Sequence, residues 1–363
     1  MRKNLFVRSI AAVSGIVMLA SLAACGDNTS SAGNNSGAGA TSQQAAEEAW
    51  ISAYMAANSG ANVTYNPTGS GAGVTTFLSG AAAWAGSDKA LSDDEVTQSS
   101  DKACANGTTA FDVPVYISPI AIIFNLKGVS DAGKHINLDA DTAAKIFDGK
   151  IVKWNDPAIA NQNKDLTLPD TQITVVHRSD KSGTTQNFVS YFKDQAPDSW
   201  THELSENWPD IPGQQSAKGT SGVVTAVKQA DGTIGYADFS QVGDLGTAAI
   251  KVGENYNEIS ADAGSKVIED SEIDTSVKGD NRVVVKINHA TEAKGAYPIV
   301  LVSYDIACPA YKDASTAKFV KSWLTYVTSD EGQKTASSAA GSAPLPSNIV
   351  KKVTKSIEAI KTK

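Results

Sequence analysis

An α/β fold is predicted for this chain by three features of its sequence. Short runs rich in β-branched and aromatic residues alternate with amphipathic helical stretches along the whole body. No internal repeat is evident. The chain has 363 residues, 41% of them hydrophobic, which allows about two domains with a sizeable core and excludes disorder of the whole chain.

The elements follow in order. Residues 41–58 read as a helix: Thr41 and Gln44 form a capping box, Trp50, Tyr54 and Met55 give an apolar stripe, and Gly60 stops it. "NVTY" (62–65) alternates as a strand, and "TGSGAG" (68–73) leads into a helix through "VTTFLSG". "AFDVPVYISPIAIIFNL" (110–126) is a long extended stretch carrying Pro114 and Pro119, suited to crossing between lobes. A short helix is expected at 141–147, and a strand at 173–178, "ITVVHR", runs directly into "SDKSGTTQNFVSYF". Later strands are expected at 282–287 and 297–306, and an amphipathic helix at 315–328.

Charge limits the partners. Residues 1–24 hold Arg2, Lys3 and Arg8 and no acid; the remainder has 28 basic against 39 acidic residues, a balance of −11. So acidic a body is a poor binder of nucleic acid or anionic lipid. The basic N-terminus and the apolar stretch 10–24, too short to span a membrane, read as a secretory signal. Its end, Leu22-Ala23-Ala24-Cys25, resembles a bacterial lipobox, so Cys25 is the expected acylation site. Residues 26–39, "GDNTSSAGNNSGAG", contain no large apolar side chain and read as a flexible tether with a reach on the order of 20 Å. Of the remaining cysteines, Cys104 and Cys308, neither has a histidine or cysteine at metal-ligand spacing, and a bridge is favoured outside the cytoplasm. No metal site and no cofactor are expected.

Three segments share one physical form, a strand, then small hydroxyl or glycine residues, then a helix: Ala40-Thr41-Ser42, Gly69-Ser70-Gly71-Ala72-Gly73 and Ser182-Gly183-Thr184-Thr185. Each would aim unpaired backbone N–H groups and a hydroxyl at an anion, although Ser and Thr also cap helices with no ligand involved. Arg178, at the end of an apolar strand, could grip an oxyanion with two parallel hydrogen bonds, and Asp180 could hold that guanidinium. Asp88 in "WAGSDKAL" reads most simply as a helix cap. In an anion site it would instead accept the O–H of a protonated oxyanion such as phosphate and repel sulfate, which has no proton to give. Enzyme motifs are missing: there is no GxSxG, HExxH or Walker A pattern, and His135, His177, His202 and His289 lack ligand spacing. A Ser182–His177 hydrolase is disfavoured, since strand alternation turns His177 and Arg178 to opposite faces.

Taken together, "GAGATSQ", "YNPTGSGAGVTTF", "WAGSDKALS", "VPVYISPIAIIFNL", "IFDGKIVKWNDPAIA", "ITVVHRSDKSGTTQNF", "KGTSGVVTAVKQADGTIGYADF" and "YPIVLVSYDIACPAY" resemble the phosphate-binding lipoproteins of bacterial phosphate ABC transporters, over nearly all of 37–346. The resemblance implies a two-lobed periplasmic-binding-protein fold (type II) with the ligand in the cleft. It implies phosphate contacts from Thr41, the backbone N–H of Ser42, Ser70 and Asp88 on one lobe, and from Arg178, Ser182, Gly183 and Thr184 on the other. Ser42 stands where many of the family have Phe, a change expected to cost little because the contact there is a backbone N–H. The implied organisation is a signal at 1–24, a tether at 25–39 beginning with acylated Cys25, lobe I at 40–115 plus 295–363, and lobe II at 116–294. A Cys104–Cys308 bridge would then lie within lobe I. The implied partners are inorganic phosphate, a membrane permease driven by a cytoplasmic ATPase, and the membrane through the lipid anchor. A binder of sulfate or molybdate on the same fold and a secreted serine hydrolase are the alternatives.

Overall fold

The computed structural model describes residues 34–130, 133 and 135–362. Three strand-to-helix units come first: β1 (Ser36–Gly39) into α1 (Gln44–Ala57), β2 (Thr64–Asn66) into α2 (Ser70–Leu78), and β3 (Trp84–Ser87) into α3 (Asp93–Lys102). The long strand β4 (Phe111–Asn125) leads to β5 (Ile136–Leu138), α4 (Ala140–Phe147) and α5 (Pro157–Ala160). Two further units follow, β6 (Thr174–Arg178) into α6 (Gly183–Gln195) and β7 (Gln215–Ala217) into α7 (Gly219–Gln229). Then come β8 (Thr233–Asp238), β9 (Gly246–Val252), β10 (Asn255–Asn257), α8 (Ala261–Glu269), β11 (Glu272–Ile273), β12 (Val285–Lys286) and β13 (Val300–Ala307). The last helices are α9 (Ala314–Val327), α10 (Asp330–Ala340) and α11 (Ser347–Glu358).

Among the described residues, eleven strands form one sheet whose main path is β2-β1-β3-β13-β4-β8-β6-β7, with β9 on β4. β1 lies parallel between β2 and β3, and β13 runs antiparallel to both β3 and β4. β4 joins the two halves of this path: Phe111–Pro119 pairs with β13, and Ile120–Asn125 pairs with β8. Its prolines sit where the ladder can spare a donor. Pro114 faces Tyr304, next to a register shift between Ser303 and Tyr304, and Pro119 ends the pairing with β13. Both β4 and β13 are buried almost from end to end, as strands covered on both faces must be.

The C-terminal helices return to the N-terminal half. Trp50 of α1 donates its indole N–H to Gly332 O at 2.7 Å, and Trp323 of α9 lies 5.3 Å from Trp84 between ring centroids. The disulfide between Cys104 and Cys308, 204 residues apart, ties the segment after α3 to the end of β13. The expected bridge is therefore present. No helix among the described residues is long and apolar enough to cross a membrane.

Three sequence expectations are corrected. Residues 36–39, assigned to the tether, are strand β1, paired on both sides, between β2 and β3. Their glycines serve close packing: a Cβ on Gly37 would lie 2.2 Å from the Trp84 indole, and one on Gly39 would lie 2.0 Å from Gly86 O. Thr41 does not cap α1. The N-cap is Gln43, without a side-chain cap bond, and the Thr41 hydroxyl is engaged by the start of α7. Of 282–287, only Val285–Lys286 is a strand, paired with β11. The signal segment, Cys25 and the rest of the tether to residue 33 lie outside the described residues.

Candidate functional site

The strand-to-helix units meet where the two halves of the sheet path face each other. The turns opening α1, α2 and α6 are all there, so Thr41, Ser42, Ser70, Asp88, Arg178, Ser182, Gly183 and Thr184 are brought together and buried. The fit is close. A Cβ added to Gly183 would lie 2.8 Å from Asp88 Cβ and 2.9 Å from Ser70 Oγ; one on Gly69 would lie 2.6 Å from Asp180 Oδ2. Gly69 also has φ 98°, a left-handed conformation that favours glycine.

Asp88 is not a helix cap. Ser92 caps α3, in a reciprocal box with Glu95. Asp88 follows β3 directly, is 2% exposed, and has its carboxylate inside the cluster. Oδ1 accepts from Ser42 Oγ (2.7 Å) and Ser303 Oγ (2.5 Å); Oδ2 accepts from Ser42 Oγ (2.8 Å) and Thr184 Oγ1 (2.7 Å). Its backbone is pinned as well: the N–H donates to Ser70 Oγ at 3.2 Å, and the carbonyl accepts from Asn187 Nδ2 at 2.6 Å. The resemblance gives Ser42 a role through its N–H alone. Its side chain instead makes two of the four hydroxyl contacts to Asp88.

Arg178 is 3% exposed at the end of β6. Nε and Nη2 donate to Oδ1 and Oδ2 of Asp180 at 2.7 and 2.6 Å, the bidentate geometry of a guanidinium on a carboxylate. Burial pushes the Asp180 carboxyl up, but the bonds and charge of Arg178 outweigh it and hold the group below the ordinary carboxyl range. Asp180 Oδ1 also accepts the Gly219 N–H at 3.0 Å. The pair is formally neutral, and three of the five guanidinium N–H groups remain beyond the two given to Asp180. With its guanidinium paired to Asp180, Arg178 brings little unbalanced charge, so oriented N–H groups and hydroxyls carry most of the attraction for an anion. Ser182 Oγ accepts the Thr185 N–H at 3.2 Å, which makes it the N-cap of α6.

Several residues here were not singled out from the sequence. Thr220 at the start of α7 donates its N–H to Thr41 Oγ1 at 3.1 Å, and the two hydroxyls lie 2.9 Å apart. "KGTSG" has the same hydroxyl-and-glycine form as the other helix starts, so that signal was available. Tyr236 OH accepts the Arg178 N–H at 3.2 Å and lies 2.6 Å from Thr185 Oγ1; burial pushes it up to about 12. Ser303 lies within fully buried β13 and has no local signature. His177, next to Arg178, stacks on Trp208 and places Nδ1 2.9 Å from Arg178 O; burial lowers its pKa.

Residues 27–331 match the model of the PBP superfamily domain. The chain is 36% identical over 381 aligned positions to phosphate-binding protein PstS2 of Mycobacterium bovis, covering 98% of this chain and 99% of that one. It is 36% identical over 291 positions to phosphate-binding protein PstS 3 of Mycobacterium leprae, covering 79% and 76%. In fold it is similar to a high-affinity periplasmic phosphate-binding protein solved with phosphate, with a TM-score of 0.71 and 22% identity over 89% of this chain and 93% of the other. The fold is thus the two-lobed one that the resemblance implied. The chain belongs to the phosphate-binding protein family of the PBP superfamily.

Proposed function

We propose that this chain captures inorganic phosphate outside the cytoplasm and delivers it to an ABC-type importer. Thr41 Oγ1, the Ser42 N–H and Ser70 bind the anion from one side; Arg178, Ser182, Gly183 and Thr184 bind it from the other, and Asp88 accepts a ligand O–H. Asp180 keeps Arg178 in place. The first lobe comprises 40–115 plus 295–363 together with β1, the second comprises 116–294, and closure of the two replaces water around the anion. The membrane permease, driven by a cytoplasmic ATPase, receives the ligand, and an acylated Cys25 holds the protein to the outer face of the membrane.

The observation that carries this reading is the buried Asp88 carboxylate at the meeting point of the helix N-termini, beside an arginine already neutralised by Asp180. A buried carboxylate placed among anion-binding donors suits an anion that brings its own proton to it. Titration calorimetry with phosphate, sulfate and molybdate on the wild type and Asp88→Asn tests it. The expected outcome is phosphate binding with a large preference over sulfate, falling at least tenfold in the variant. Equal binding of sulfate by the wild type, or an unchanged preference in Asp88→Asn, would overturn it.

A further inference from the structure

A carboxylate offers about four lone-pair sites on its two oxygens. On Asp88 three hydroxyl protons address these four sites: Ser303 on Oδ1, Thr184 on Oδ2, and Ser42 between the two oxygens, at 2.7 and 2.8 Å. Ser303 and Thr184 each serve one oxygen. The Ser42 hydroxyl has one proton to share between two oxygens, so its hold on each is the weaker one. It also belongs to the residue whose backbone N–H begins the turn into α1, the nearest of the three donors in sequence to Thr41. A protonated ligand that donates its O–H to Asp88 competes with the protein donors, and the shared Ser42 contact is the one that yields with least loss.

We infer that the Ser42 hydroxyl is a specificity-determining stand-in for the ligand's own proton, holding the acceptor of Asp88 until a protonated oxyanion takes it. The inference rests on the reading of Asp88 as acceptor of a ligand O–H. Its effect is twofold. Without a ligand, Ser42 keeps a buried carboxylate satisfied that would otherwise face desolvation unpaired. With a ligand, it is a competitor that phosphate displaces and that sulfate, having no proton, cannot replace.

Removing this competitor has a sign opposite to that of ordinary damage to a binding site. The full chain and its Ser42→Ala and Asp88→Asn variants are titrated calorimetrically with inorganic phosphate and with sulfate. Ser42→Ala is expected to bind phosphate three- to tenfold more tightly than the wild type, with sulfate affinity unchanged or lower; Ser42→Thr, which keeps the hydroxyl, shows no such gain. Should Ser42→Ala melt well below the wild type, Ser42→Cys decides instead, since its thiol keeps the volume and is only a weak donor. Phosphate affinity equal to or below wild type in the deciding variant overturns the inference. The underlying reading fails separately: an unchanged phosphate preference in Asp88→Asn refutes the acceptor role of Asp88. A lost preference there, with no gain at Ser42, refutes the stand-in alone.

Discussion

Gly183 gives the sharpest handle on how the site closes. It is the first residue of α6 and has no positive φ, so alanine fits its backbone and, by helix propensity, favours α6 by up to ~1 kcal/mol. What alanine does not fit is the space. The new methyl would sit 2.8 Å from Asp88 Cβ, 2.9 Å from Ser70 Oγ and 3.0 Å from the Asp88 carbonyl carbon, and both residues are held in place by the cluster itself. Gly183 follows β6, whereas Ser70 and Asp88 flank β2 and β3 in the other half of the sheet path. The clash is therefore relieved by keeping the halves apart, with no need to unfold either. Overpacking of this kind costs about 1–3 kcal/mol. Charged to the closed form alone, that weakens phosphate binding by about 5- to 150-fold at unchanged or slightly raised melting temperature. Titration calorimetry gives the affinity, and thermal melts with and without phosphate give the stability. Binding within twofold of the wild type would show that the contact of Gly183 with Ser70 and Asp88 is not part of the bound state. A fall in melting temperature without loss of affinity would refute the partition between closure and folding.

Two further predictions concern the scaffold. Gly37→Ala drives a methyl to 2.2 Å from the Trp84 ring inside the sheet and should destabilise the fold by about 1–3 kcal/mol, read as a drop in melting temperature; an unchanged melt would return residues 36–39 to the tether. Glu47 of α1 and Asp305 of β13 are fully buried carboxyls. Burial, reinforced for Glu47 by the charge of Asp305, raises Glu47 well above the ordinary carboxyl range and moves Asp305 to about 8. The folded chain thus keeps protons that the unfolded chain has lost, so the contribution of this pair to stability is full below the ordinary carboxyl range and is lost as pH rises toward 8. Melting temperatures between pH 5 and 8.5 should decline, less steeply in Asp305→Asn; a rise over that interval, or the same slope in the variant, would refute the assignment.

Much of the site is legible in the sequence because its logic is local. A strand followed by hydroxyl and glycine residues and then a helix places N–H groups in one direction wherever it occurs, and the segments at Thr41, Ser70 and Ser182 all do so. Arg178 and Asp180 are two residues apart, and their bidentate pairing needs nothing from the rest of the chain. The family motifs add which of these starts belong to one cleft.

Other features were beyond local reading. Gly37 and Gly39 look like tether because glycine reports the absence of a side chain and is silent on why none fits; Trp84 and Gly86 supply the reason from another strand. Ser303 sits in a strand buried on both faces, where alternation carries no signal, and only the pairing of β13 with β3 brings it to Asp88. Thr41 has the spacing of a cap but is claimed by Thr220, 179 residues away.

The sequence by itself determined the α/β class, the helix starts at Ser70 and Ser182, the arginine and its carboxylate, and the cysteine pair. These rest on backbone propensity, on contacts within a few residues, or on motifs specific to a family. Only the tertiary structure decided which hydroxyls satisfy Asp88, that Ser42 acts there through its side chain, and that β1 is a strand of the sheet, paired on both sides. A buried carboxylate takes whatever donors the fold brings within 3 Å, and no spacing along the chain encodes which those will be.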